Sequence, residues 1–189
     1  MRLEEIRAKI DTLDEEIKAF LLERLACSRE VASAKAEQGE TQIYRADREE
    51  AILERLGGEV PEEIRREYLA IVRKIMETSR MYQYGLLYDW MPERFQALFA
   101  GVPYEIPGQR VKLLLTRPNR PNAMSSILSM VGDYGYNMEI MELLSYSEDR
   151  ESVRFLLTVR GDLSERHMQK LMVQLAGESQ DFCIMEVLR

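Results

Sequence analysis

Histidine and cysteine are scarce in this chain. Among 189 residues there is one histidine, His167, and there are two cysteines, Cys27 and Cys183. A metal centre built from imidazole and thiolate has almost no ligands to draw on, and no metal site is expected. The cysteines stand far apart in sequence, so both are read as reduced, small core residues rather than as a disulfide. His167 lies in the polar helical stretch SERHMQKL and is read as a solvated surface residue. Long apolar runs are absent too. Nothing approaches a membrane span, and the first residues, MRLEEIRAK, lack the apolar core of a signal peptide. The expectation is a cytoplasmic protein with no membrane partner. Basic excess is also missing. There are 26 Lys and Arg against 33 Asp and Glu, a formal net charge of -7. Such a chain has no domain-wide positive field with which to displace counterions, so no nucleic-acid partner is expected. A small anion in a local basic pocket is compatible with this balance. The apolar share is 46%, enough for a real core in one or two domains.

What is present is helical first. Residues 3–37 contain neither proline nor glycine, and Leu3, Ile6, Ile10, Leu13, Ile17 and Phe20 alternate three and four apart. That is the seam of a long amphipathic helix of coiled-coil type. The next seam position is Arg24, and Lys35 lies eleven residues on, on nearly the same face. Cations on a face due for burial are costly unless an anion meets them. Arg7 lies seventeen residues before Arg24 and so points roughly 100° away around the helix. It suits an equivalent pocket in a second copy of the chain.

A polar stop at EQGET follows, with Gly39 as the terminator, then a short helix RADREEAILERL closed by Gly57 and Gly58. Pro61 suits the first turn of a third helix, long again, that ends before Pro92. A helix of about 35 residues is roughly 50 Å long, so three such helices in a monomer would have a thin core. Two copies packed along their long helices solve this. Residues 92–109 hold three prolines and two glycines and read as a linker. Beyond them the order is strand VKLLLT, loop RPNRPN, helix AMSSILSMVGDYG, strand YNMEIMELLSYS, turn SEDRES, strand VRFLLTVRG, helix SERHMQKLMVQLAG capped by Ser164, and strand DFCIMEVLR. This is βαββαβ, a ferredoxin-like split unit. Met124, Met130, Met138, Met141, Met168, Met172 and Met185 are read as core filler.

Several polar residues sit awkwardly on the helical faces: Arg7, Arg24 and Lys35, then Arg45, Arg48 and Glu49, then Ser79 and Gln83, which are four apart and share a face. Arginine forks recognise carboxylates bidentately. A cavity lined by such groups suits a small dicarboxylate that also carries a hydroxyl and an ether or carbonyl oxygen. No nucleophile with a paired base and no glycine-rich phosphate loop accompanies them. The chemistry suggested is positioning and charge stabilisation without a cofactor.

The motif L-x-x-I-R-x-x-I-D-x-L-D-x-x-I, followed by Glu23-Arg24, Ala34-Lys35, Asp47-Arg48-Glu49 and Ser79-Arg80-x-x-Gln83, resembles the all-helical chorismate mutase family over residues 3–90. The resemblance implies an intertwined homodimer of three-helix chains. It also implies conversion of chorismate to prephenate by an intramolecular Claisen rearrangement. On that basis Arg24 and the partner subunit's Arg7 hold the two carboxylates. Lys35 and Gln83 face the breaking ether bond, Glu49 holds the ring hydroxyl, Ser79 assists a carboxylate and Arg48 steadies the rim. The family commonly has an aspartate where this chain has Arg45, and the loop from Lys35 to Glu49 is one residue longer here. Residues 110–189 resemble an ACT domain, a regulatory module of amino-acid metabolism. That likeness implies an aromatic amino-acid effector near Asn122, Ala123, Met124, Asn137 and Glu142. Where related modules carry Glu-Ser-Arg-Pro, this chain reads Glu142-Leu143-Leu144-Ser145.

The expected fold class is α + α/β sandwich. Residues 1–91 form an all-helical mutase domain, 92–109 a linker and 110–189 the ACT-like domain. The expected function is a chorismate mutase of aromatic amino-acid biosynthesis. The alternative is a non-catalytic, mutase-like protein that senses a metabolite or acts on a partner enzyme.

Overall fold

The computed structural model of the chain describes residues 2–188. Among these residues the helical half comprises α1 Leu3–Glu37, α2 Ala46–Gly58 and α3 Glu62–Trp90. A 3-10 helix, Pro92–Phe99, leads to β1 Arg110–Pro118, α4 Ala123–Asp133, β2 Asn137–Tyr146, β3 Ser152–Arg160, α5 Arg166–Gly177 and β4 Gln180–Leu188. The long–short–long helices and the βαββαβ order match the sequence expectation. No helix among the described residues is long and apolar enough to cross a membrane.

α1 starts where the Glu5 carboxylate accepts the Arg2 amide at 3.0 Å, and Glu4 and Glu5 favour the positive end of the helix dipole. It stops at Gly39, whose φ of 68° places it in the left-handed region. Residues 2–24 are exposed on every face, including the whole seam from Leu3 to Phe20. Burial begins only with Ser28 and Ala32, in the stretch that meets α3. Arg24 touches Ile75 and Ser79, and Arg29 lies over the Trp90 ring, so α1 and α3 run in the same direction. α2 is the return between them.

The four strands form an antiparallel sheet in the order β2-β3-β1-β4. Alternate residues of the two central strands, Val111, Leu113 and Leu115 with Val153, Phe155, Leu157 and Val159, are buried. They share one core with Ile127 and Val131 of α4 and with Met168, Leu171 and Leu175 of α5. Tyr84, Leu87 and Tyr88 of α3 belong to the same core, as does Phe99 of the 3-10 helix. The end of α3 is therefore packed directly on α5.

Three local expectations need correction. Cys27 and Cys183 are free but exposed rather than buried. Ser28 takes the α3-facing position, which turns Cys27 outward, and Ile184 takes the core side of β4, which turns Cys183 away. For the same reason Met185 is exposed, as is Met124 in the first turn of α4, so neither fills the core. Ser164 does not cap α5. Its amide is captured by the Asp162 carboxylate at 2.8 Å, and the helix begins at Arg166 behind Glu165.

Candidate functional site

α3 carries Ser79 and Gln83 one turn apart and buries both. The Gln83 amide donates to the Ser79 carbonyl at 3.2 Å. Arg24 of α1 donates to the Ser79 hydroxyl and reaches the Ile75 carbonyl at 3.5 Å. Arg24 and Ser79 are thus brought together beside a cavity of about 250 Å³ walled by Leu21, Leu25 and Ile75, with Gln83 one turn further along α3. The cation at the seam position has met a hydroxyl and a carbonyl, and the remainder of its guanidinium stays exposed.

Lys35 is held by the loop that follows its own helix. Its Nζ donates to Glu40 and to the Gln42 carbonyl, both at 2.6 Å. The Gln42 amide in turn donates to the Gly177 carbonyl of α5 at 3.2 Å. Glu49, in the first turn of α2, accepts from Arg80 rather than from Lys35 or Gln83. Burial pushes the Glu49 carboxyl up, and the Arg80 guanidinium offsets only part of that shift. Arg45 pairs with Asp47 at 3.1 Å on the surface. Arg7 and Arg48 are exposed and make no hydrogen bond or ion pair among the described residues.

Sequence reasoning passed over the residues that join the two halves. Arg80 holds Glu178, at the end of α5, through Nε at 2.8 Å and Nη2 at 3.2 Å while also holding Glu49. Burial works against the charge on Arg80, but Glu178 and Glu49 outweigh it and raise its pKa. The Tyr44 ring lies 4.8 Å from the same guanidinium. Arg117 of β1 is buried; it donates to the Glu178 carbonyl and to Ser126. Tyr44, Glu49, Arg80, Arg117 and Ser126 border a cavity of about 300 Å³ that also touches Arg120 and Asn122. One signal was available: Arg80 stands beside Ser79 in the motif. On a three-helix reading, however, it lies roughly 100° away from Ser79 and reads as outward-facing.

Of the expected effector residues, Asn122, Ala123 and Met124 come together. With Leu143, Tyr146 and Phe155 they line a cavity of about 320 Å³. Glu142 lies exposed on β2 opposite Leu156. Asn137 opens β2 opposite Arg160, about 30 Å along the strand from Tyr146, so it does not join them.

Comparison with known proteins bears on the helical half. Residues 6–84 match the family described as chorismate mutase type II, a span from α1 to Tyr84 of α3. It includes all eight candidate substrate-contacting residues of the helical half. No curated protein matches the chain. A solved structure titled "GqqA- a novel type of quorum quenching acylases" is similar over 47% of this chain at 25% sequence identity, with a TM-score of 0.43. The chain covers 46% of that structure's length, and so partial a likeness carries no argument about function.

Proposed function

Given a chorismate mutase type II domain at residues 6–84, we propose that the chain converts chorismate to prephenate. The observation that carries this reading is the Arg24–Ser79–Gln83 cluster on the facing sides of α1 and α3, within the matched segment. An intramolecular Claisen rearrangement transfers no proton and needs no covalent intermediate. The protein has only to hold a compact conformer of the substrate and meet the charge that grows on the ether oxygen. Arg24 and Ser79 bind one carboxylate, and Lys35 and Gln83 donate to the ether oxygen. Glu49 accepts from the ring hydroxyl, and Arg48 steadies the rim. Donors at the ether oxygen act more strongly in the transition state than in the ground state, so they raise kcat.

The second carboxylate falls to Arg7 of a second copy. The seam from Leu3 to Phe20 supports a homodimer, because all six of its apolar residues are exposed in the single chain. The β2-β3-β1-β4 sheet with two helices supports the ACT-like reading of residues 110–189, with the cavity at Asn122, Ala123 and Met124 as the place for an aromatic amino-acid effector. Residues 92–109 are the connection between the two units.

A second reading, a protein that binds the metabolite without turning it over, is favoured by one observation. Lys35 and Glu49 are already engaged, by Glu40 and by Arg80. The deciding assay follows loss of chorismate absorbance with and without each aromatic amino acid. Turnover well above the spontaneous rate, lost by about 100-fold or more in Lys35→Ala, is expected for one fixed donor at a developing oxyanion. Binding by calorimetry with no turnover selects the second reading. An unchanged rate in Lys35→Ala removes the assigned role of that lysine.

A further inference from the structure

Arg80 stands between two carboxylates that come from opposite halves of the chain. Its Nη1 donates to Glu49 of α2, and its Nε and Nη2 grip Glu178, just past α5, side-on at 2.8 and 3.2 Å. The Glu178 side chain has no exposure, and that of Arg80 is 9% exposed. Glu178 is itself fixed. Its carboxylate accepts from the Gln174 amide at 2.9 Å, and its carbonyl accepts from Arg117. The Tyr44 ring closes a further side of the guanidinium. Arg80 therefore has little room to swing, and what fixes it lies largely in the C-terminal half.

We infer that Arg80 and Glu178 are positioning residues for Glu49, so that the C-terminal half sets the placement and charge of a substrate-contacting carboxylate in the helical half. This rests on the mutase reading of Glu49. A carboxylate accepts from a ring hydroxyl most strongly when it is ionised, and it has to be aimed. Arg80 takes one of its oxygens, Oε1, and leaves Oε2 without a protein partner among the described residues. The strongest charge effects on Glu49 come from Arg80 of α3, Glu178 in the turn after α5 and Arg120 in the loop between β1 and α4. Glu50 of α2, Arg73 and Glu77 of α3 and Arg117 of β1 line the same cavity, so the C-terminal half supplies Glu178, Arg120 and Arg117 to the surroundings of Glu49. The C-terminal half thus has a built-in route to the helical site that passes through a single guanidinium.

The test uses the full chain with Arg80→Met, Glu178→Gln and the charge-free pair Arg80→Met/Glu178→Leu, which guards against misfolding from an orphaned buried charge. Two readouts are taken: the acid limb of kcat/KM, and the titration of Glu49 by carbon-13 NMR of its carboxyl, assigned with Glu49→Gln. In Arg80→Met and in the pair, Glu49 titrates at higher pH and the acid limb rises with it. The plateau of kcat/KM falls about 10- to 100-fold, as for loss of a hydrogen bond to a charged group. In Glu178→Gln the limb moves down, because a facing negative charge is gone. The plateau drops about tenfold, because Arg80 is no longer held. Adding Glu178→Leu to Arg80→Met costs little more, since the two act in series. A Glu49 titration that stays at its wild-type pH in Arg80→Met and in the pair overturns the inference, as do strictly additive losses. Absence of wild-type chorismate turnover overturns the mutase reading instead, and the NMR titration still decides whether Arg80 and Glu178 govern Glu49.

Discussion

Replacing Gly177 with alanine should destabilise the protein, although glycine near a helix end is ordinarily a weak point. Gly177 closes α5, and its carbonyl accepts from Gln42. A Cβ built there stands 2.5 Å from the Tyr84 hydroxyl oxygen and 2.6 Å from Cε1 and Cζ of the same ring. Tyr84 is 1% exposed, and its hydroxyl accepts the Tyr44 amide at 3.2 Å, so the ring has nowhere to turn. Relief requires α3 and α5 to part by about an ångström, a strain of the overpacking kind that costs roughly 1–3 kcal/mol. The gain from a better helix former is at most about 1 kcal/mol and is smaller at the last turn. The net expectation is a loss of about 1–2 kcal/mol. Gly132 in α4 is the control, because a Cβ there meets nothing within 4 Å. Gly132 lies in a last turn too, so Gly132→Ala should stabilise by only about 0.5 kcal/mol or less. Urea unfolding of both variants, with matched slopes, measures the pair. Adding Tyr84→Leu to Gly177→Ala should cost less than the sum of the single changes. A Gly177→Ala variant as stable as wild type would refute the close contact between α3 and α5.

Two further outcomes follow from the surface of the molecule. Leu13 is 45% exposed in the seam of α1, and covering that share in a second copy is worth about 1 kcal/mol per chain. Leu13→Ala should then weaken dimerisation roughly thirtyfold by sedimentation equilibrium, and a wild-type chain that stays monomeric at high micromolar concentration would remove the seam's role. Asp89 of α3 accepts from Arg166 at 2.7 Å and Lys170 at 2.6 Å; burial favours its neutral form, but the two α5 cations prevail and hold its carboxyl below the usual range. A depressed folded pKa adds stability above the unfolded value and loses it as pH falls through the folded one. With a side chain 36% exposed, Asp89→Asn should cost about 0.5–1 kcal/mol at pH 7 and almost nothing near pH 2; an equal deficit at both would show that the ion pairs contribute nothing.

The elements were legible because each is written in local periodicity. The uninterrupted seam of α1, the glycine stop at Gly39 and the alternation of β1 and β3 need no distant partner to be read. Ser79 and Gln83 were legible as inward residues because an apolar stripe surrounds them, and both are buried. What escaped was partnership across the chain. Lys35 has the right face for the pocket, yet its ammonium is met by Glu40 and Gln42 from a loop whose path no periodicity encodes. Asn137 and Asn122 are expected at one site, whereas the strand register sets Asn137 at the far end of β2. Cys183 and Met185 read as core yet are exposed, because an apolar run on an edge strand does not announce which face is covered.

Glu178 shows why such partnerships carry weight out of proportion to their visibility. An acidic residue in the turn Gly177-Glu178-Ser179 reads as solvated surface, yet its side chain has no exposure at all. A buried carboxylate is tolerated only when charge and hydrogen bonds meet it, and here Arg80 and Gln174 do so together. Breaking one member strands the others, so the set acts as a unit rather than as separate contacts. A buried ion pair is weak evidence for stability, since apolar residues of like volume often serve as well. What apolar residues cannot supply is a cation that also reaches Glu49. Charge at this junction therefore fits the positioning role inferred for Arg80 and Glu178 better than a purely stabilising one.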